Sequence, residues 1–200
     1  FIKKFDHCWV PDFENSLLSG ELSDSNLEKI FIGPQTRFKK IVEERKNYKY
    51  KYLAIISGPE PQRSLLEDEI QNCFLKTNEH CAIINGLINK KEISAEKITF
   101  YPHLETTAFK KLLTKSELVI CRSGYSSIMD LYVLQKKVLF IPTPGQTEQE
   151  YLAKYHQKTN SIYYQKQGRI DLKKASFNFI QSKSKTKKKL LEGAFNKVFL

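Results

Sequence analysis

Four short polar segments of this sequence combine glycine, hydroxyl, amide and charged residues in patterns that suit a phosphorylated ligand. In Ser57-Gly58-Pro59-Glu60-Pro61-Gln62-Arg63, glycine lets the backbone approach a ligand while two prolines stiffen the loop. Gln62 and Arg63 could meet phosphate or sugar oxygens, and an ordinary turn with a solvent-facing Arg63 fits equally well. Tyr101-Pro102-His103-Leu104-Glu105-Thr106 is an extended loop able to offer backbone N–H and C=O groups to the edge of a base. A packed or capping role is the plainer use of His103.

The other two segments open helices. Arg122-Ser123-Gly124-Tyr125-Ser126-Ser127 presents unpaired N–H groups and a positive helix end, where a pyrophosphate binds well. Asp130 follows one turn later, placed to accept both hydroxyls of a ribose. Ser127-x-x-Asp130 also resembles a capping box, which would make Asp130 structural. In Pro142-Thr143-Pro144-Gly145-Gln146-Thr147-Glu148-Gln149-Glu150, the side chains of Gln149 and Glu150 could bind sugar hydroxyls. Thr147-x-x-Glu150 is a second possible capping box, whereas no structural task is evident for Gln149. Two such loops on successive strands favour nucleotide binding over chance.

The elements that must position these loops are short apolar runs alternating with helix-period segments. Strands are expected at 29–33, 52–57, 81–85, 98–101, 118–121, 138–142 and 161–164, apolar on both faces as in a covered parallel sheet. Helices are expected at 64–76, 107–114, 126–134, 149–156 and near 185–198. This alternation argues for an α/β, Rossmann-like, doubly wound parallel sheet, whose ligands bind outside the carboxyl ends of the strands. Residues 6–13 read as an extended piece and 14–28 as a polar, serine-containing linker. The expected division is therefore 1–28, the end of a preceding domain plus linker, and 29–200, the binding domain.

Composition narrows the partners. The 200 residues are 40% apolar and 28% charged, ordinary for a globular domain. No apolar run reaches the roughly 18 residues of a membrane span, and no signal-peptide pattern opens the chain. A first residue other than Met suggests a piece of a longer protein. Cys8, Cys73, Cys81 and Cys121 have neither metal-ligand spacing nor a disulfide framework, which suits a reducing, cytoplasmic setting. The net charge is +11, and residues 165–200 hold ten Lys or Arg against Asp171 and Glu192. Such a tail attracts nucleotides or an acidic membrane surface, or is simply a solvated helix face. Nucleic acid is not expected, since no RNP-like aromatics, zinc finger or helix-turn-helix spacing accompany the charge.

Residues 119–155 (VICRSGYSSIMDLYVLQKKVLFIPTPGQTEQEYLAKY) resemble the C-terminal donor-binding domain of the MurG-like glycosyltransferases, family 28. The shared pattern is a strand, C-R-S-G, a helix bearing an acid, a strand ending in P-x-P and a Gln-bearing helix start. FDHCWVPDFE, IGPQTRF and SGPEPQR look closer still to a bacterial branch of predicted glycosyltransferases. The resemblance implies the C-terminal half of a GT-B fold that binds a UDP-sugar, foremost UDP-GlcNAc. By this resemblance Asp130 holds the ribose, His103 and Leu104 contact uracil, and Ser123 and Gly124 face the diphosphate; Ser126, from the same loop, is a further donor-binding candidate. Gln149 and Glu150 read the sugar, and Gly58 to Gln62 stand where the family has a glycine-rich loop. Glu150 replaces a Gln of the family pattern, Asp130 is one methylene shorter than the usual Glu, and Pro-Glu-Pro is stiffer than a glycine loop.

The implied chemistry is inverting transfer from the donor to a glycan or lipid-linked acceptor held by the preceding domain. That domain would also supply the general base, so this chain alone should bind donor weakly and transfer nothing. Helix-end N–H groups with Arg122 or Arg63 would stabilise the leaving diphosphate. Without an Asp-x-Asp motif, no metal or other cofactor is expected. The expected location is the cytoplasm, at the inner face of the membrane. A sugar-nucleotide 2-epimerase of the same architecture and a non-catalytic donor-binding subunit remain alternatives.

Overall fold

The computed structural model of the chain describes residues 7–15, 17–24, 26–38, 47–87 and 92–180. In chain order its elements are β1 (Cys8–Val10), β2 (Lys29–Phe31), β3 (Tyr50–Ile55), α1 (Gln62–Leu75), β4 (Cys81–Ile84), β5 (Ile93–Ala95) and β6 (Ile98–Tyr101). There follow α2 (Thr106–Thr114), β7 (Ser116–Cys121), α3 (Tyr125–Leu134), β8 (Lys137–Phe140), α4 (Thr147–Asn160) and β9 (Asn178–Phe179). A 3-10 turn covers Gly20–Ser23.

The main sheet has the order β5-β6-β4-β3-β7-β8-β9. Its five central strands are parallel and its two edge strands antiparallel. Both faces are covered, which is why these strands lack polar alternation. Leu53, Ala82, Val119 and Val138 pack towards α2, α3 and α4, in one cluster with Leu113, Ile128 and Leu152. Their neighbours Ala54, Ile83, Ile120 and Leu139 turn to the other face, against Leu66, Ile70 and Phe74 of α1 and against Ile170, Leu172 and Phe177. α3 and α4 stop at Gln135 and Ser161, each in the left-handed conformation common just past a helix end.

Register brings the carboxyl ends together. Ile55 is opposite both Ile84 and Cys121, Ile84 is opposite Tyr101, and Cys121 is opposite Phe140. From β3 the chain steps outward through β4 to β6, then α2 returns it to β7 on the other side of β3. The order therefore reverses between β3 and β7, the position where open α/β sheets bind ligands.

Several expectations change. The strand expected at 29–33 does not join the main sheet: β2 pairs with β1 instead, Cys8 opposite Lys29 and Val10 opposite Phe31. That pairing crosses the expected division at residue 28. The polar stretch after β1 is packed rather than free-running, with Leu17 and Leu18 buried in the same cluster as Ile128 and Leu152. Of the strand expected at 161–164, Tyr164 makes a single parallel bridge to Phe140. The short edge strands β5 and β9 were not anticipated. The expected helix near 185–198 lies outside the described residues. Among the described residues no helix is long and apolar enough to cross a membrane.

Candidate functional site

At the β3–β7 crevice a cavity of about 530 Å³ opens at the carboxyl ends of the strands. That volume is in the range of small-molecule sites. Its floor is Ile55 of β3 with Ile56 and Ser57 just after it, Ile84 of β4 with Gly86 beyond it, and Cys121 of β7. Its walls are His103 and Leu104 after β6, Ser126, Ser127 and Asp130 of α3, and Gln35, Thr36 and Arg37 of the segment after β2.

α3 begins directly at this cavity. Its N-cap is Gly124, which makes no side-chain cap bond, so the first-turn N–H groups keep the positive helix end available. A Cβ placed on Gly124 would meet nothing within 4 Å, leaving room above the turn. Because the helix starts at Tyr125, Ser127 is already inside it and cannot cap it. The capping-box alternative for Asp130 therefore falls away. Asp130 Oδ1 accepts a hydrogen bond from the Thr36 hydroxyl, and Oδ2 lies 3.8 Å from Arg37 Nε. Burial raises the Asp130 carboxyl above its usual range, while the Thr36 hydroxyl and the Arg37 charge pull it back down.

Of the twelve sequence-expected residues, His103, Leu104, Ser126 and Asp130 line the cavity, and the other eight lie outside its lining, in the loops and helix starts that follow β3, β7 and β8. Arg122 changes role most. Its guanidinium is buried and donates to Ser57 O (3.4 Å), Ile141 O (3.1 Å), Pro142 O (3.2 Å) and Gln62 O (2.9 Å). The sequence suggests a phosphate contact, but four carbonyls take four of its five N–H donors, and it clamps three loops together. Arg63 likewise serves the frame, donating to Asn85 O at 3.0 Å and pairing with Glu60. The Gln62 side chain accepts from Gln167 Nε2 at 2.9 Å. Gly58 (φ +114°) lets its loop turn beside Thr143 and Arg122, where a Cβ would sit 3.7 Å from Thr143 Oγ1.

The start of α4 belongs to the same frame. Ser123 Oγ donates to Gln149 O at 2.7 Å, tying the two helix starts. Gln149 Oε1 accepts from Thr143 N–H at 2.9 Å, a structural task not evident in the sequence. Glu150 Oε1 accepts from Gly145 N–H at 3.1 Å. The N-cap is Gln146 rather than Thr147, so Glu150 holds the preceding turn without a capping box. At the base-facing loop, His103 N–H is taken by Leu87 O at 3.1 Å, and the ring is exposed.

Gln35, Thr36 and Arg37 were missed as site residues. Their signal was the Gly33-Pro34 turn, which sends the chain after β2 over the cavity. Arg37 lies over the rings of Phe38 (5.1 Å) and Phe109 (4.9 Å), and those rings stack on each other at 5.9 Å. Among the described residues no group of three or more His, Cys, Asp or Glu is placed to hold a metal.

A curated relative from Sulfurihydrogenibium sp. (strain YO3AOP1) is 29% identical over 94% of this chain. It is a UDP-N-acetylglucosamine–N-acetylmuramyl-(pentapeptide) pyrophosphoryl-undecaprenol N-acetylglucosamine transferase, and the chain spans about half (55%) of its length. A solved MurG from Acinetobacter baumannii superposes with TM-score 0.52 at 15% identity, covering 75% of this chain and 46% of that one. The glycosyltransferase of kitacinnamycin superposes with TM-score 0.54 at 12% identity, covering 78% and 41%. At those identities the likeness shows the fold alone, a Rossmann-like C-terminal half of the GT-B type. Residues 67–192 match the model of the glycosyltransferase family 28 C-terminal domain, and by that match over more than half its length the chain belongs to this family.

Proposed function

We propose that the chain is the donor-binding half of a glycosyltransferase and holds the nucleotide of a UDP-sugar, foremost UDP-GlcNAc, in the β3–β7 cavity. The observation that carries this reading is Asp130, a half-buried carboxylate on a helix whose N-terminus opens on that cavity. A carboxylate there is matched to a vicinal diol, and the helix start to a diphosphate. Leu104 and the His103 loop form the wall for the base. Arg37, half exposed at the cavity, takes the phosphate role first expected of Arg122 or Arg63.

In the proposed reaction an acceptor hydroxyl oxygen forms a bond to the anomeric carbon with inversion. The bond from that carbon to the diphosphate oxygen breaks, UDP leaves with the electron pair, and a base takes the hydroxyl proton. The base and the lipid-linked or glycan acceptor belong to the other half, at the cytoplasmic membrane face. Arg37 and the α3 N-terminus meet the charge growing on the diphosphate, so no divalent ion is assigned a part.

Calorimetric titration with UDP, UDP-GlcNAc and a short oligonucleotide tests the reading. The two uridine ligands should bind and the oligonucleotide should not. Asp130→Ala should lose UDP affinity at least tenfold with an unchanged melting temperature, the scale of removing hydrogen bonds to a charged group (about 1.5–3 kcal/mol). Oligonucleotide binding without UDP binding would overturn it.

A further inference from the structure

Thr36 and Asp130 are 94 positions apart in sequence, yet their side chains meet at the wall of the cavity. The Thr36 hydroxyl is committed in both directions. Its oxygen accepts the Phe38 backbone N–H at 3.2 Å, which leaves its proton for Asp130 Oδ1. Phe38 is buried, and its stack on Phe109 holds the segment in place. The turn behind it is braced by Gln35, whose Nε2 donates to Ile32 O at 3.1 Å and Gly33 O at 3.0 Å. The hydroxyl is therefore a fixed donor aimed at one carboxylate oxygen.

We propose that Thr36 is a positioning residue for the donor site, holding the Asp130 carboxylate in the orientation that receives a ribose diol. This rests on the cavity being the nucleotide site. An ionised carboxylate has about four lone-pair positions, so one bond from Thr36 leaves room for two ligand hydroxyls. Thr36 fixes the torsion of the Asp130 side chain before ligand arrives, which lowers the cost of ordering it on binding. It also favours the charged form against burial. The other titratable groups at the cavity are Arg37 from the same segment, His103 after β6 and Cys121 at the end of β7. Among the described residues only Arg37 is within ion-pair distance of Asp130.

The role predicts a pattern that mere loosening of the segment would not give. In the full-length protein, Thr36→Val should weaken UDP about tenfold at pH 7.5, while 2′,3′-dideoxy-UDP binds wild type and variant alike. The acid limb of UDP affinity should move to higher pH in Thr36→Val, because the carboxylate loses a bond that favours its charged form. The phosphate ionisation of UDP is common to both proteins and cancels in the comparison. Thr36→Ser keeps the hydroxyl and should restore both affinity and acid limb. If wild type does not bind UDP, the nucleotide site falls and this role with it. If wild type binds UDP but Thr36→Val does so equally well or better, the positioning role alone is overturned. It is overturned too if Thr36→Val loses both ligands equally, or if Thr36→Ser behaves like Thr36→Val.

Discussion

Arg122 and Asp130 stand on either side of the same helix start and spend their charges in opposite ways. Burial lowers the Arg122 guanidinium to about 10, still charged at neutral pH, and from the end of β7 its charge goes into carbonyls that follow β3 and β8. Removing it leaves several buried carbonyls without a donor, each a cost of about 1–3 kcal/mol. Arg122→Ala should therefore lower unfolding free energy by roughly 3 kcal/mol or more in a urea titration, and Arg122→Lys should recover only part, because an ammonium cannot span the same carbonyls. A loss below about 1 kcal/mol would contradict the clamp. Asp130 keeps its oxygens for the cavity. In sequence both residues looked like ligand contacts, since a polar residue at a strand end carries no mark of its partner. The place of Asp130 at the cavity was legible because its spacing from a helix start is local. The Thr36 contact was not, because it depends on a chain crossing far from Asp130.

At the scale of elements, the five parallel strands were legible from their apolar runs, and α1 to α4 from their periodicity. β5 and β9 were not, since two or three residues cannot establish a period. The segment after β1 misled for another reason. Residues 14–28 read as a polar linker, but Asp12 just before them is fully buried and gathers N–H groups from Phe13, Leu18 and Ser19 and the Ser19 hydroxyl at 2.6 Å. Gly20 (φ +55°) then passes so near α4 that a Cβ would reach 2.8 Å from the Tyr155 ring. The seam is completed by buried His156 of α4, which bonds Leu18 O through Nε2 at 3.0 Å and Asn160 through Nδ1 at 3.0 Å. Desolvation lowers His156 to about 4, from an unfolded value near 6.5. The unfolded chain thus takes up the proton first on acidification. Stability from the neutral ring is whole above pH ~6.5 and is lost as pH falls towards ~4, by on the order of 3 kcal/mol. The melting temperature of wild type should fall across this window, and that of His156→Gln, which has no titrating ring, should fall less. Parallel profiles for the two proteins would remove His156 as the cause.

At the scale of the whole molecule, positive charge is concentrated towards the end of the sequence. Residues 181–200 hold Lys183, Lys185, Lys187, Lys188, Lys189 and Lys197 against Glu192 alone. A basic cluster of this size is attracted to an anionic bilayer by about 1 kcal/mol per residue near the surface, and the attraction decays within a Debye length. On the proposed reading, such attraction would hold the domain close to a lipid-linked acceptor. The full-length protein should co-sediment with vesicles containing anionic lipid and much less with neutral ones, and the difference should shrink as salt is raised. Replacing Lys187, Lys188 and Lys189 together by Gln should weaken vesicle binding by roughly a hundredfold, in line with three such contributions. UDP affinity should be unchanged in that variant if the cluster acts only on the membrane surface. Equal binding to neutral and anionic vesicles, or indifference to the three substitutions, would return the cluster to an ordinary solvated surface.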